Sequence, residues 1–511
     1  MWDGESTRPG QAPPSISIEE MIEQNVGRIN MTQVLQALLA SLPAFFDSQQ
    51  TYMSIFAHAQ PTWHCTSKHN NTSCISNESN ICTLSRNEWA WDSSNDVHSH
   101  TSIISQWDLE CASPFITGLP TTCYFVGCLI GGLVLATLGD SSLGRKNLLC
   151  LSSLVMSLAA LASAFSSNIW VYSVFRFLSG AGRAPIAVCA MVLMTERVGK
   201  RWRSQFVMVF FIHFSFGILA LTGVAYLTRS SSWRTLYLGI SIPGIICSVL
   251  CYFFVYESPR WLFMQGREKE SMTILRKLGT TTQVDSASIT ITNTNTTPTN
   301  TSPFATLKIL IEKKWALQRL LASMVLSFGV GLMYFVMFLG VGNLGFNIYL
   351  TSTFSALLSL ASYLLTFLFW IQRCNRRASL LGFCTISGAT SITFSIIGKH
   401  SHEGLFIALE LVSLFCACMA YNIVLMYVIE LFPTCIRNSA SSLVRQTMFL
   451  GSVFDPVLIL SGRRNMVYSY RVFGITMLLC GFLVIFLPET RGEVLCDTME
   501  EQETRDRINV K

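Results

Sequence analysis

The chain has 511 residues, of which 50% are hydrophobic and only 13% are charged. A soluble domain carries about a quarter charged residues, so water is not the main solvent of this chain. The net charge of +6 is small and scattered over short loops, which gives no sign of nucleic-acid binding. The sequence therefore predicts an integral membrane protein.

Twelve apolar blocks follow a polar N-terminal segment, residues 1–32. That segment lacks the basic start and short apolar core of a secretory signal, so we expect it to stay in the cytosol. Each block has the length of about 20 residues that crosses a hydrocarbon core of about 30 Å. Spans 1 to 6 are predicted at residues 33–57, 115–138, 147–165, 170–194, 205–227 and 235–256. After a polar central loop, 257–317, spans 7 to 12 are predicted at residues 318–340, 346–370, 378–397, 404–428, 438–461 and 467–487. The spans thus form an N-terminal bundle, residues 33–256, and a C-terminal bundle, residues 318–487.

The loop between spans 1 and 2, residues 58–113, is long and polar. It holds four cysteines and three N-glycosylation sequons, and both features are typical of the oxidising side of a membrane. We expect two disulfides, but four cysteines allow three pairings and the sequence does not select one. Zinc binding is the alternative, and it is disfavoured because no close Cys-x-x-Cys pair is present. The candidates are Cys65, Cys74, Cys82 and Cys111 for disulfides, and Asn70, Asn71 and Asn77 for glycans.

Lysine and arginine residues in the short loops indicate the orientation. One side holds Arg145, Lys146, Arg197, Lys200, Arg201, Arg203, Arg373, Arg376, Arg377 and Arg437, and the other holds Arg229, Arg234, Lys399, Arg463 and Arg464. The richer side is predicted to be cytosolic. An even number of spans then places both termini in the cytosol, including the tail at residues 488–511.

The two halves repeat each other at their cytosolic edges. Arg376 follows Arg145 by 231 positions, Glu430 follows Glu196 by 234, and Glu489 follows Glu257 by 232. Basic residues are common in cytosolic loops of any membrane protein, but glutamates at matched spacing are not explained in that way. The pattern therefore predicts two parallel six-helix repeats, with a binding site between halves that rock against each other.

Several motifs resemble known families. Residues 140–146 read Asp-Ser-Ser-Leu-Gly-Arg-Lys, and residues 176–183 read Arg-Phe-Leu-Ser-Gly-Ala-Gly-Arg. Both are similar to signatures of the major facilitator superfamily, the first with one residue more than the usual Asp-to-Gly spacing. Residues 257–262 (Glu-Ser-Pro-Arg-Trp-Leu), 430–438 (Glu-Leu-Phe-Pro-Thr-Cys-Ile-Arg-Asn) and 487–492 (Leu-Pro-Glu-Thr-Arg-Gly) together resemble the organic cation and carnitine transporter group. The motifs Phe-Asp-Ser-Gln-Gln at 46–50, Trp-His-Cys at 63–65 and Val-Arg-Gln at 444–446 are similar to those of its plant members.

This resemblance implies an all-α carrier of organic cations, including carnitine, with the major facilitator fold of twelve transmembrane helices. It also implies cytosolic Glu and Arg residues that latch the two halves together, so that Glu430→Gln should favour the inward-open state. The latch candidates are Asp140, Arg145, Glu196, Arg203, Glu257, Arg260, Arg376, Arg377, Glu430, Arg437, Glu489 and Arg491.

The chain departs from the group's pattern at three places. Gln372 stands where an acidic residue usually opens the second loop signature, and residues 358–361 read Leu-Ser-Leu-Ala where a Glu and a Pro are common. In span 11, the position that selects substrate charge in animal members is Phe449, which is neither acidic nor basic. The resemblance therefore leaves the charge of the substrate open.

Charged residues inside spans are candidates for transport because each costs about 2.5 to 3.5 kcal/mol on insertion scales. At the helical rise, Asp47 lies roughly 15 Å below the outer end of span 1, Arg176 roughly 9 Å below that of span 4, and Arg183 roughly 20 Å. Related sugar carriers couple protons through an Asp of span 1 and the Arg of the span 4 motif. The resemblance thus favours Arg176 as the partner of Asp47, with Arg183 as second candidate. A fixed structural ion pair and a direct counter-ion of the substrate are the alternatives.

Aromatic and polar residues within the spans are candidates for the substrate cavity. A cation is attracted to an aromatic face by about 0.5 to 2 kcal/mol. The sequence does not say which rings line a cavity and which face lipid, although Arg445 and Phe449 share one helix face. The candidates are Gln50, Tyr124, Phe214, Tyr334, Phe335, Tyr349, Tyr421, Arg445, Gln446 and Phe449.

No enzymatic motif competes with transport. The sequence has no P-loop for ATP and no cluster of metal ligands, so we expect no cofactor. The favoured function is secondary active transport of organic cations or zwitterions by alternating access, coupled to protons, by a monomer in the plasma or vacuolar membrane. A sugar or phosphate carrier of the same superfamily and a non-transporting sensor with this fold are the alternatives.

Overall fold

The described residues fold almost entirely into helices. A computed structural model describes residues 26, 29–61, 63–66, 81–86, 88–91, 102–135, 143–279, 312–340, 347–370, 373–397, 403–461, 466–491 and 499–509. In the first half, spans 1 to 6 are the helices Met31–Tyr52, Pro114–Leu135, Arg145–Ser163, Ile169–Arg183 with Ile186–Thr195, Arg203–Leu227 and Trp233–Phe254. In the second half, spans 7 to 12 are Lys314–Leu339, Ile348–Leu365, Arg376–Ile397, Glu403–Leu431, Thr434–Ser461 and Met466–Phe482. Two single turns extend this set, a π turn at Thr366–Trp370 after span 8 and a 3-10 turn at Leu483–Phe486 after span 12.

Eleven helices of the described region are long and apolar enough to cross a membrane, and span 1 is not among them. Its composition explains this, because Gln33, Gln36, Asp47, Gln49 and Gln50 are all buried within it. Polar side chains that face other helices avoid lipid but lower the mean hydropathy. Span 1 is also shorter than predicted, since its helix ends at Tyr52 and Ser54–Ala57 form a separate turn.

Span 4 is broken after Arg183, and its second segment begins at Ile186. Pro185 precedes that segment, and a proline lacks the N–H that would continue the helical ladder. Gly180 packs against span 2 so closely that a Cβ there would overlap the carbonyl oxygen of Tyr124. Small residues allow such backbone approach between membrane helices. The break and the close contact together fix where the arginines of span 4 lie.

The two halves meet along two pairs of helices. Span 2 contacts span 11, where Thr122 donates its hydroxyl to the carbonyl of Val453 at 3.3 Å. Span 5 contacts span 8 through stacked rings of Phe211 and Tyr363, whose centroids are 4.8 Å apart. The predicted all-α architecture of two six-helix halves is confirmed.

Short elements cover both ends of the bundles. In the loop before span 2, the strands Trp63–Cys65 and Trp89–Trp91 pair antiparallel. The central loop contributes the helices Pro259–Met264 and Glu268–Leu278, and residues 280–311 lie outside the described residues.

A tail helix, Met499–Asn509, packs on the start of span 7. Lys313 pairs with Glu503 and Arg319 with Asp506, both at 2.8 Å. Hydrogen bonds from Lys313 and Trp315 hold the pKa of the Glu503 carboxyl below its usual value. The tail is thereby attached to the C-terminal half.

Candidate transport site

Asp47 and Arg183 form an ion pair inside the N-terminal half, between spans 1 and 4. The Nε of Arg183 donates to Oδ1 of Asp47, and the exposed fractions of the two side chains are only 9% and 2%. Thr51, one turn after Asp47, donates its hydroxyl to the same carboxylate oxygen at 3.4 Å. Breaking such a buried pair is strongly destabilising because one charge is left uncompensated.

Arg176 is not the partner of Asp47, so the preference for it is corrected. It lies seven residues before Arg183, about 10 Å nearer the predicted outer side. Its Nη1 donates to the backbone carbonyl of Gln50 at 3.1 Å, and its guanidinium lies 4.3 Å from the ring centroid of Tyr124. Arg176 therefore faces the turn after Asp47 and not the carboxylate itself.

A hydrogen bond links these two arginine environments. The Tyr124 hydroxyl lies 3.0 Å from the Thr51 hydroxyl, which in turn reaches Asp47. Within the described part of the chain, the Nε and Nη2 atoms of the fully buried Arg176 have no hydrogen-bond partner. Arg176 is thus a positive charge held by a ring face and one carbonyl, without a carboxylate.

Aromatic rings from both halves adjoin the ion pair. The guanidinium of Arg183 lies 5.1 Å from the ring centroid of Phe449, which is 6.1 Å from Phe335. Tyr334 and Tyr421 stack at 4.2 Å between centroids. We use the name aromatic cluster for Tyr52, Phe125, Tyr334, Phe335, Phe338, Tyr421 and Phe449. Ring faces of this kind suit the apolar, positively charged head of an organic cation.

Three members of this cluster were missed by sequence reasoning. Tyr52 lies 4.9 Å from Phe338, and Phe125 lies 5.1 Å from Phe335. The third is Phe338. Its spacing of four residues from Tyr334 would have identified it, since residues four apart share a helix face. No comparable signal marks Tyr52 or Phe125, which stand in different helices.

Of the other two aromatic candidates, Phe214 and Tyr349, only the first lies near the aromatic cluster. Phe214 of span 5 lies edge-on to Tyr52 at 6.3 Å and so borders the cluster. Tyr349 does not lie at mid-span, because it is the second residue of its helix. It stacks on Phe56 at 5.7 Å at the outer end, and its assignment to the central cavity is corrected.

Arg445 and Gln446 lie where span 11 meets span 2. Arg445 is half-buried, and among the described residues it has no hydrogen-bond or ion-pair partner. It is close enough to Asp47 and Arg183 for their charges to interact. The side-chain amide of Gln446 lies against Gly132, where any Cβ would collide with it. Gln50 is also buried, and its side-chain oxygen lacks a partner within the described region.

The interior of the protein therefore carries more positive than negative charge near the halves' junction. Three guanidiniums lie there, those of Arg176, Arg183 and Arg445. Among the described residues, the one carboxylate that pairs with any of the three is that of Asp47. Guanidiniums remain charged in proteins, so this excess persists at neutral pH.

At the predicted cytosolic edge, four side chains tie the helices of the N-terminal half together. Arg145 donates to Glu196 at 2.8 Å, and the Ser258 hydroxyl donates to the same carboxylate. Glu257 accepts the backbone N–H of Lys146 at 3.1 Å, next to Gly144, whose φ of 81° and lack of a Cβ make room for it. A carboxylate at a helix N-terminus is stabilised by the free N–H groups and the helix dipole. We call this set the N-terminal bracket.

The C-terminal half repeats the same contacts. Arg376 donates to Glu430 at 3.2 Å, and the Thr490 hydroxyl donates to it at 2.7 Å. Glu489 accepts the backbone N–H groups of Arg376 at 2.8 Å and of Arg377 at 3.0 Å. This C-terminal bracket places the predicted repeat in three dimensions.

In this structure each bracket joins helices of one half, and the latch between the halves stays a prediction. The ion pairs of the two brackets, Arg145–Glu196 and Arg376–Glu430, each join partners of the same half. The reason is geometric: short loops return each Glu to the helix start of its own bundle. Glu430→Gln should therefore loosen the C-terminal half, and the shift toward the inward-open state stays a prediction.

The remaining latch candidates lie around the brackets. Arg437 donates to the carbonyl of Phe432 at 3.2 Å, and Arg491 donates to Asn375 at 3.1 Å. Arg203 begins span 5, and Arg260 is exposed. Asp140 lies outside the described residues.

Arg197 is a buried residue at the predicted cytosolic edge that sequence reasoning treated only as an orientation signal. It donates to Oε1 of Gln36 at 3.3 Å, and Gln36 also accepts the backbone N–H of Tyr256 at 2.9 Å. Burial lowers the pKa of Arg197 to about 10. It thus remains positively charged at neutral pH and ties spans 1, 4 and 6 together.

The long loop after span 1 is cross-linked. Cys82 and Cys111 form a disulfide, and Cys65 is also disulfide-bonded. Cys74 and the sequon positions Asn70, Asn71 and Asn77 lie outside the described residues. The Cys82–Cys111 bond selects one of the three pairings that the sequence left open.

Two repeated six-helix bundles, with a buried ion pair and an aromatic cluster where they meet, define a membrane transporter of the major facilitator type. The chain belongs to the sugar (and other) transporter family, whose model matches residues 38–502. It is 47% identical over 507 residues to organic cation/carnitine transporter 2 of Arabidopsis thaliana, covering 96% of this chain and 94% of that protein. It is 46% identical over 515 residues to organic cation/carnitine transporter 3 of the same plant, covering 98% of each.

A solved structure shares the fold. The inward-open conformation of the xylose transporter XylE from E. coli matches with a TM-score of 0.64 at 17% identity, covering 92% of this chain and 98% of that one. The predicted resemblance to plant organic cation/carnitine transporters and the predicted major facilitator fold are confirmed. The chain is a transporter and not an enzyme.

Proposed function

We propose that this protein moves small organic cations or zwitterions across a membrane by alternating access, coupled to protons. The observation that carries the proposal is the buried Asp47–Arg183 pair beside an aromatic cluster built from both halves. A site shared by two halves opens to one side at a time as they rock. The relatives' names, organic cation/carnitine transporters, support the substrate class.

The charges favour zwitterions over simple cations. A quaternary ammonium group suits the stacked rings of Tyr334 and Tyr421, while a carboxylate on the same molecule would pair with Arg445. Carnitine has both groups. A plain cation such as choline would meet a net positive charge with nothing to offset it, so we expect it to bind more weakly.

Proton coupling is assigned to Asp47, with Arg183 as the group that controls it. A carboxylate away from water favours its neutral form, and a nearby guanidinium favours its charged form. If rocking of the halves separates the two side chains, Asp47 takes up a proton, and when Arg183 returns the proton leaves. Phe449 of the opposite half lies on the Arg183 guanidinium, so movement between halves reaches this pair directly.

The proposal also covers the membrane in which the protein lies and its oligomeric state. We infer a monomer in the lipid bilayer of the plasma membrane or vacuole, with both termini in the cytosol. Protons and the substrate are its small partners, and no cofactor is involved.

Uptake into vesicles tests the proposal. Purified protein in proteoliposomes should accumulate labelled carnitine when a proton gradient is imposed, and take up choline, a polyamine or a hexose less well. Accumulation of hexose alone would assign the protein to sugar transport, and binding without flux would indicate a sensor.

Asp47→Asn separates the possible roles of the carboxylate. Loss of accumulation with retained exchange supports coupling, whereas loss of both indicates a counter-ion of the substrate. Accumulation equal to wild type would leave only a structural ion pair.

A further inference from the structure

Asp455 in span 11 is a second carboxylate within the membrane-spanning region that the proposed mechanism does not use. It is fully buried, five residues before the end of the apolar span at Leu460. Both of its carboxylate oxygens lack a hydrogen-bond partner among the described residues. This differs from Asp47, which has both Arg183 and Thr51.

Among the described side chains, the helices packed against span 11 bring no partner to the Asp455 carboxylate. Span 2 contacts its outer half at Val453 and Pro456, span 7 at Gly451, and span 12 at Leu458. The titratable residues of span 2 are Cys123, Tyr124 and Cys128. Those of spans 7 and 12 with described side chains are Lys314, Arg319, Tyr334, Tyr470, Arg471 and Cys480.

None of these basic groups is available to pair with Asp455. Arg319 is bound to Asp506 at the cytosolic end, where Lys314 begins the helix, and the exposed Arg471 donates to Ser395 of span 9. On span 10, the buried Glu410 accepts a hydrogen bond from Tyr470 at 3.2 Å. On span 11 itself, Arg445 lies ten positions away, roughly 15 Å along the helix.

An ionised carboxylate in such a place is very costly, and a buried acid without a partner takes a proton instead. In another conformation, access to water would let the same group ionise. Proton affinity that depends on conformation is the thermodynamic requirement for coupling a proton gradient to movement.

A small cavity between the halves lies beside this part of span 11. Its volume is about 60 Å³, which is room for a few waters, and Pro456, next to Asp455, lines it. Ser54, His58 and Thr121 of the N-terminal half line the same cavity. Because the cavity lies between the halves, separation of their outer ends would widen it and admit water toward span 11.

We propose that Asp455 is a second proton-binding residue, loaded and unloaded through the outer cavity between the halves. This rests on the proposed proton coupling and adds a site in the C-terminal half. One proton would then be carried at Asp455 in addition to the one exchanged at Asp47.

The first experiment measures the number of protons moved per substrate. Proteoliposomes containing a pH dye and supplied with labelled carnitine report both fluxes for the wild type, Asp455→Asn and the control Asp506→Asn, an acid outside the membrane. We expect Asp455→Asn to retain exchange, lower the ratio by one proton and weaken the dependence of uptake on outer pH.

An unchanged ratio in an Asp455→Asn variant that still exchanges would overturn the inference while leaving proton coupling intact. A wild type that moves no protons would overturn both the inference and the coupling.

The second experiment does not require a variant that folds. Dicyclohexylcarbodiimide reacts with protonated carboxyl groups in apolar surroundings, and its mass remains on the protein as an acylurea. Peptide mapping at neutral pH should find the adduct at Asp455 and not at Asp506. Absence of the adduct at Asp455 from folded wild-type protein would also overturn the inference.

Discussion

Removing either partner of the Asp47–Arg183 pair should destabilise the protein unequally. Asp47→Asn leaves a guanidinium that is 9% exposed and cannot lose its charge. The cost of breaking a buried pair in this way is about 3 to 5 kcal/mol. Arg183→Gln leaves a carboxylate that can bind a proton and become neutral, so its cost should be smaller. The double variant, which retains neither charge, should be more stable than Asp47→Asn alone.

Thermal unfolding of purified protein measures these differences. For a bundle of roughly 150 to 250 residues, 1 kcal/mol corresponds to about 2 to 4 °C, so Asp47→Asn should lower Tm by roughly 6 to 20 °C. Arg267→Gln is the control, because its pair with Glu270 is exposed to water and should contribute little to stability. A double variant less stable than Asp47→Asn would refute the reasoning that an unpaired charge causes the loss.

Three further predictions concern the brackets, the topology and the rings. Glu489→Gln should lower Tm more than Glu257→Gln in the same scan. The reason is that Glu489 accepts two backbone N–H groups at the start of span 9, whereas Glu257 accepts one at the start of span 3. Equal losses of Tm would contradict this. Peptide mapping should find glycans within residues 70–77 and none within 295–300, and sugar in the second range would reverse the predicted orientation. Tyr421→Leu should raise the carnitine concentration for half-maximal uptake by roughly 2- to 30-fold through loss of a cation–π contact, while Tyr421→Phe should change it little.

The spans could be predicted from sequence because their signal is local. A run of about 20 apolar residues has one physical explanation, and a charge inside such a run draws notice without any knowledge of neighbours. Asp47 was found in this way. Span 1 was predicted in the same way, although its buried glutamines lower its mean hydropathy.

The partner of Asp47 could not be predicted because it depends on how far span 4 is shifted along span 1. Arg176 and Arg183 are seven residues apart, close to two full turns, so they share one face of the helix. Either could meet Asp47 until the axial offset is known. That offset is fixed by the contact of Gly180 with the backbone of span 2, which no periodicity reveals.

The brackets show a related limit. Matched spacing correctly indicated that Glu196 and Glu430 have equivalent roles. It could not say whether each glutamate contacts its own half or the other, since both arrangements preserve the repeat. Proximity of loop ends within one bundle decided the outcome.

The confinement of each bracket to one half has a consequence for how the protein could be divided. Cutting the chain within residues 280–311 would sever no ion pair between described residues, and the tail helix would stay with span 7 through Lys313 and Arg319. The two pieces would then rejoin through the faces of spans 2 and 11 and of spans 5 and 8, and through the aromatic cluster. Such a carrier could be produced as two separate polypeptides, with transport itself reporting their reassembly.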